Sequence, residues 1–321
     1  MVRSFAKINL GLRIGAARRD GFHELLTVYQ TIGLHDVLRV RVFRGSGIEI
    51  RCSDPRVPKD ESNTCYRIAE KMMQAVRARG RVLIEIEKRL PVQGGLGGAS
   101  SNAVATMLGL ERALKKQLPQ EERLRIAAEV GSDLPLFLVG GTVLGVGRGE
   151  QVYQLEDFPP TACVVVTPEA GVSTPKAFAE WDRRMAAADR GKLTLPEASG
   201  RMDELSRALS AWLSEPYSGA PRSKRGRAEN PLLDLVRAGI GNDFEQVVFP
   251  EYPELCEGKR ALEHVGAKYA SLSGSGSVLY GLFPSREDAA KAAKSLRKQG
   301  WAAQATATLR RSAYWGRIFV G

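Results

Sequence analysis

The run Pro91-Val92-Gln93-Gly94-Gly95-Leu96-Gly97-Gly98-Ala99-Ser100-Ser101-Asn102 constrains this chain more than any other stretch. It lies between an alternating, strand-like segment and an apolar, helix-like one. Four glycines around one leucine let backbone N–H groups converge where side chains would block a ligand. A helix beginning near Ser100 would aim its unpaired N–H groups and the positive end of its dipole into the loop. Such a junction is either a polyphosphate cradle or a Gly-rich turn before a Ser/Asn-capped helix; the loop alone favours phosphate.

At 321 residues the chain exceeds what one hydrophobic core usually serves, so two domains are expected. A composition of 43% hydrophobic and 26% charged residues is that of a soluble globular protein. The formal net charge of +11 favours anionic partners: nucleic acid, an anionic membrane surface or phosphorylated small molecules. No apolar run is long enough to cross a bilayer, and Met1 to Lys7 leads into a strand pattern rather than a signal peptide. Cys52, Cys65, Cys163 and Cys256 are scattered, and only His23, His35 and His264 could join them. A protein-held metal is therefore not expected, and a reducing cytoplasm fits best.

From Phe5 the pattern alternates, with Ala6, Ile8, Leu10 and Leu12 on one face and Lys7, Asn9 and Gly11 on the non-core face. The Asp20-Gly21 pair marks a tight turn before Phe22-His23. Val37–Phe43 and Ile48–Cys52 read as a hairpin around Gly45-Ser46-Gly47. A helix is expected from Asn63 to about Arg79, then a strand through Val82, Ile84 and Ile86 into Lys88. Further helices are expected at Ala103–Leu114 and Glu121–Val130, and a strand at Thr142–Val146. A second unit opens with the strand Ala162–Thr167, followed by a helix at Lys176–Trp181. Between Ala186 and Glu229 the pattern is least regular; a helical piece at Met202–Leu213 precedes the cluster Arg222-Ser223-Lys224-Arg225-Gly226-Arg227. With no aromatics beside it for base stacking, that cluster reads as a solvated loop rather than a nucleic-acid surface. The end alternates again: helix Pro253–His264, an extended Lys268–Ser271, strand Val278–Phe283, and, after Ser285, a helix through Leu296. The architecture expected is α+β.

Phosphate loops come in kinds, and several are excluded. Gly98 is not followed by the Lys-Ser/Thr of a Walker A motif, no Rossmann fingerprint follows a first strand, and His-Arg-Asp and Asp-Phe-Gly are missing. Phosphoryl transfer to an alcohol needs a phosphate cradle, positive charge near the moving group and a carboxylate for the hydroxyl proton. Asp133, between Gly131 and Pro135, is either that carboxylate or an N-cap. Lys7 is either the positive charge or a solvated lysine.

Ser4-Phe5-Ala6-Lys7-Ile8-Asn9-Leu10, Asp20-Gly21-Phe22-His23, Pro91 to Asn102, Gly131 to Pro135, Gly171-Val172-Ser173-Thr174-Pro175 and Leu272-Ser273-Gly274-Ser275-Gly276 follow one another in an order that resembles the GHMP kinases. The resemblance spans nearly the whole chain. The Ala-Lys-Ile-Asn-Leu and Asp-Gly-Phe-His segments narrow it to the branch that acts on a cytidylyl substrate. It implies a two-domain α+β fold. Residues 1–158 would resemble domain 2 of ribosomal protein S5 and carry the phosphate loop; residues 159–321 would form a smaller α/β sandwich. It also implies ATP-dependent phosphorylation of the 2-hydroxyl of 4-diphosphocytidyl-2-C-methyl-D-erythritol, in the non-mevalonate route to isoprenoid precursors, with Mg2+ arriving on ATP. Asp133 would then be the general base and Lys7 its charged partner. Pro91 to Ser101 would wrap the ATP phosphates, with Asn63 and Lys88 nearer the nucleoside. Phe22 and His23 would hold the cytosine, and Asn9 and Thr174 would be further substrate contacts.

Two departures from the family pattern stand out. Gln93 and Ala99 occupy loop positions usually held by glycine, and the 186–229 stretch is longer and more basic. Rival readings are another GHMP kinase of homoserine or mevalonate type, or a nucleic-acid-binding protein with a ribosomal-like fold. Neither a nucleic-acid nor a membrane partner is expected.

Overall fold

The computed structural model describes residues 1–189 and 240–320, with 202, 203, 205–207 and 210 between them. The basic cluster at 222–227 and half of the helical piece expected over 202–213 lie outside the described residues.

The first unit grows from one long antiparallel hairpin, β1 (Val2–Ala17) and β2 (His23–Phe43), turning through Arg18–Phe22. Three register shifts, at Phe5/Lys7, Asn9/Gly11 and Ile14/Ala17, bend the ladder. The expected hairpin between Val37–Phe43 and Ile48–Cys52 does not form. Strand β4 (Arg81–Glu87) inserts between them, antiparallel to β2 and parallel to β3 (Ile48–Cys52). The reason is burial. Val82, Ile84 and Ile86 need two covered edges and an apolar face, and helix α1 (Thr64–Ala75) supplies the crossover that a parallel β3–β4 pair requires. Strands β5 (Thr142–Val146) and β6 (Gln151–Gln154) extend the same sheet.

Helices α1, α2 (Gly98–Leu114), α3 (Gln120–Val130) and the single turn α4 (Leu134–Phe137) cover this sheet and enclose the first core. The second unit is an antiparallel sheet in the order β10-β7-β9-β8, formed by β7 (Ala162–Val166), β8 (Tyr269–Leu272), β9 (Leu279–Phe283) and β10 (Ala303–Ala307). With it go α5 (Thr174–Asp189), α6 (Glu245–Glu251), α7 (Pro253–His264) and α8 (Arg286–Lys298), the second core lying between. The last helix, α9 (Arg311–Ile318), returns to the first unit, where Tyr314 and Ile318 are buried and the Tyr314 hydroxyl donates to the Phe137 carbonyl at 2.6 Å. Among the described residues no helix is long and apolar enough to cross a membrane.

A third core joins the units. Ala6, Ile8 and Leu10 of β1 meet Cys163, Val165, Tyr280 and Leu282 of the second sheet. Each large side chain removed from water here contributes about 1.5–3 kcal/mol. The outer edge of β1 is covered as well: Lys7 N–H donates to the Leu96 carbonyl at 3.0 Å, Leu12 N–H to Gly241 at 3.0 Å, and the Tyr280 hydroxyl to the Asn9 carbonyl at 2.7 Å. One expectation needs correction here. Lys7 and Asn9 do share a face, but it is buried, with 3% and 1% exposure, because the loops of both units close over it.

Candidate active site

The glycine loop is held from three sides. Gly94 accepts from Val278 N–H at 3.1 Å, Gly95 from the Ser273 hydroxyl at 3.0 Å, and Leu96 from Lys7 N–H at 3.0 Å. Gly95 and Gly97 take left-handed φ values of +79° and +69°. A Cβ built at Gly95 would overlap the Ser273 carbonyl oxygen, and one at Gly97 would lie 2.9 Å from the Phe137 ring and 3.1 Å from Lys7 Cγ. Glycine is therefore required at both places. Helix α2 starts at Gly98, slightly earlier than expected, and no side chain caps it. Its amides at Gly98, Ala99 and Ser100 precede the first intrahelical bond, Ser101 N–H to Gly97, and so remain for a ligand. The Ala99 side chain is exposed, and its carbonyl accepts from the Thr64 hydroxyl at 2.9 Å. Pro91, Val92 and Gln93 lead into the loop, and Gln93 takes a left-handed φ of +60°.

Opposite the loop, three elements bring polar groups together. The Lys7 ammonium donates to Asn9 Oδ1 at 2.7 Å and lies 3.4 Å from Asp133 Oδ2. Asn9 Nδ2 donates to the Thr27 hydroxyl at 2.8 Å, which donates to the Gly11 carbonyl at 2.7 Å. Asp133 occupies the N-cap position of α4 but caps nothing. Its other oxygen accepts from the Tyr29 hydroxyl at 3.1 Å, and its side chain keeps 32% exposure. Burial, reinforced by the Asp133 carboxylate, holds the Tyr29 hydroxyl well above its ordinary pKa, so it stays a neutral donor. The second loop, Leu272 to Ser277, closes this pocket. Asn242 Nδ2 donates to the carbonyls of Leu272 and Gly274 at 2.8 and 2.7 Å, and a Cβ at Gly274 would lie 3.4 Å from the Lys7 ammonium. Thr174, at the start of α5, shares a 2.6 Å hydrogen bond with Ser275.

Phe22 and His23 stand at the other end of the β1–β2 hairpin. Phe22 is 49% exposed beneath the Arg148 guanidinium, 4.9 Å from its ring centroid. His23 is buried; its Nε2 lies 2.7 Å from Asp182 Oδ1, and its ring stacks on Phe178 at 4.9 Å and 11°. Asn63 precedes Thr64, whose hydroxyl bonds Ala99 at the start of α2. It caps α1, its Oδ1 accepting from Cys65 N–H at 2.8 Å and its Nδ2 donating to the Pro58 carbonyl at 2.6 Å. The Lys88 ammonium reaches the first residue of α2 but is held by Asp36 at 2.7 Å.

Sequence reasoning did not find Tyr29, Phe178, Asp182 or Asn242. Phe178 and Asp182 carry a signal in retrospect, since their i, i+4 spacing after the Gly171–Pro175 loop puts them on one helix face. Tyr29 and Asn242 carry none, because only folding brings them to Asp133 and to the second loop.

Two family models match the chain: the GHMP kinases N terminal domain over residues 63–141, and GHMP kinases C terminal over 228–301. The 4-diphosphocytidyl-2-C-methyl-D-erythritol kinase of Solibacter usitatus is 37% identical over 286 residues, covering 89% of this chain and 81% of that one. The chain belongs to the GHMP kinases. Among solved structures, a 4-(cytidine 5'-diphospho)-2C-methyl-D-erythritol kinase superposes with a TM-score of 0.71 at 29% identity, covering 95% of this chain and 98% of that one. A homoserine kinase from Cytophaga hutchinsonii has a TM-score of 0.67 at 18% identity, covering 95% of this chain and 94% of that one, and supports the shared fold alone. This GHMP kinase is thus a two-domain, mixed α and β small-molecule kinase, and ATP is the phosphoryl donor of its family.

Proposed function

We propose that this GHMP kinase transfers the γ-phosphoryl group of ATP to the 2-hydroxyl of 4-diphosphocytidyl-2-C-methyl-D-erythritol, in the non-mevalonate supply of isoprenoid precursors. The relatives named for that substrate support the reading. The observation that carries the chemistry is that one residue, Lys7, touches both machines. Its amide holds Leu96 of the glycine loop, and its ammonium lies against Asp133.

Residues Pro91 to Ser101 wrap the ATP phosphates, with the amides of Gly98, Ala99 and Ser100 and the α2 dipole turned to them. The substrate hydroxyl sits against Asp133, which is open enough to receive it. As the bond to the leaving phosphate oxygen lengthens, the hydroxyl oxygen bonds to the γ-phosphorus and its proton passes to the Asp133 carboxylate. The transition state is loose, so the proton leaves late and a carboxylate paired with an ammonium suffices. Lys7, positioned by Asn9, offsets the negative charge gathering between donor and acceptor. Tyr29 fixes the direction of Asp133. Magnesium would come with ATP and screen its phosphates; the Ser100 hydroxyl in the first turn of α2 is a hard oxygen donor that suits it. At the far end Phe22 stacks on the cytosine and His23, oriented by Asp182, presents a polar edge. Asn9 and Thr174 face the substrate between these ends. In this reading the two domains divide near residue 158, with α9 packed back on the first, and the cleft lies between them.

The test is ADP release from purified protein with ATP, magnesium and the cytidylyl substrate, run beside homoserine and mevalonate. Turnover of the cytidylyl compound alone is expected. Turnover of homoserine or mevalonate instead would move the chain to another branch, and no turnover of any would refute the reading.

A further inference from the structure

Asp36 lies on β2, is fully buried, and belongs to none of the groups so far given a role in the reaction. Four donors converge on it. Its Oδ1 accepts from the amides of Arg89 and Leu90, both at 2.7 Å, and its Oδ2 from the Lys88 ammonium at 2.7 Å and Asn102 Nδ2 at 3.0 Å. Lys88, Arg89 and Leu90 lead directly into Pro91, where the glycine loop begins. Asn102 lies in the second turn of α2, just beyond the loop's end. One carboxylate therefore ties both ends of the loop.

The charge has its own logic. The position of a Cβ on Gly98 is 3.5 Å from the Lys88 ammonium, so a cation sits beside the positive end of α2. Alone it would be unfavourable there. Asp36 neutralises it, and it is itself buried only because it is fully paired. The buried Asn102 amide finds a partner for its Nδ2 in Asp36 but, among the described residues, none for its Oδ1; its use at this place is the tie to the carboxylate. We propose that Asp36 is the positioning residue of the phosphate loop. It fixes the span between the loop's ends and holds the Lys88 ammonium at the start of α2, and so sets the affinity for ATP. This rests on the reading that the loop holds the ATP phosphates.

Asp36→Asn keeps an oxygen for the two amides but turns an NH2 group toward two donors. Asn102→Ala cuts only the tie to α2. Both are made in the full chain and compared by KM for ATP, KM for the cytidylyl substrate and Tm. Loss of a charge-assisted hydrogen bond should raise the ATP KM about tenfold or more in Asp36→Asn, and at least about threefold in Asn102→Ala. The cytidylyl KM should stay within about twofold. If Asp36→Asn does not fold, Asn102→Ala decides by the same threshold. A lowered Tm with an ATP KM changed less than threefold, or both KM values rising alike, would make Asp36 merely structural and overturn the proposal. Gly95→Ala is the control on the underlying reading, since it alters the loop without touching Asp36. An unchanged ATP KM in that variant would refute the loop's role and take this proposal with it. A raised ATP KM there beside normal values in the Asp36 and Asn102 variants would refute this proposal alone.

Discussion

The two ends of the β1–β2 hairpin are built on opposite plans. At the Lys7 end polar groups are locked in sequence: Lys7 to Asn9, Asn9 to Thr27, Thr27 to a backbone carbonyl, and Tyr29 to Asp133. At the Phe22 end, a half-exposed ring lies under one guanidinium, and His23 is oriented by an aspartate that is itself 55% exposed. Preorganised charge is what a phosphoryl transfer requires, because dipoles that must reorient during the reaction stabilise nothing in the transition state. A nucleobase needs only a face and an edge, and these tolerate adjustment. The difference predicts that substitutions at the first end act on turnover and those at the second on binding.

Asp133→Asn should have the largest effect. The amide keeps the shape and the Tyr29 contact but cannot take the proton, so kcat should fall by roughly 10²–10⁴. Both KM values should change little. Steady-state ADP release checks this, and a near-normal kcat would erase the contrast between the two ends. Gly95→Ala should come next. The added Cβ meets the Ser273 carbonyl at a left-handed φ, so the loop must move. A displacement on the order of 1 Å at a phosphate site costs about 10² in kcat/KM for ATP.

Those two positions are legible in the amino-acid sequence, since a glycine run and a Gly-Ser-Asp-Leu-Pro junction each announce a special backbone. What stays hidden there is whatever depends on pairing between distant strands. The β3–β4 pair is hidden because Gly45-Ser46-Gly47 is a sound hairpin signal that loses to the burial demands of Ile84. Strand β10, Ala-Gln-Ala-Thr-Ala, lacks bulky alternation and takes its identity from β7 beside it. Asp36 resembles any surface aspartate in a strand, and its four donors come from residues more than fifty positions away. The Lys7 side of β1 is legible as a face, yet its burial follows from a second domain that periodicity in β1 cannot encode.

Phe22→Leu sharpens the comparison from the recognition end. Leucine preserves bulk but removes the flat π surface, and base stacking on an aromatic is worth about 1–3 kcal/mol. The KM for the cytidylyl substrate should rise about tenfold, while kcat and the ATP KM stay within about twofold. A fall in kcat as large as the rise in KM would mean that the two ends are mechanically coupled and that the adaptable end is not independent.

Gln93→Gly should have the smallest effect, and its sign is informative. Gln93 holds φ at +60°, a conformation that costs a side-chain-bearing residue roughly 1–2 kcal/mol. Glycine removes that strain but raises the entropy of the unfolded chain, returning about 0.4–1 kcal/mol. The remainder favours glycine by at most about 1.6 kcal/mol, a Tm rise of no more than about 3 °C in calorimetry at this chain length. The ATP KM should move by less than about twofold. Gln93 lies where the chain approaches the cradle, before the amides that face phosphate, whereas Gly95 lies against the second loop, where a side chain has no space. A large change in ATP KM from Gln93→Gly would show that the glutamine side chain, and not the backbone alone, meets the nucleotide. The loop would then read its ligand partly through a side chain.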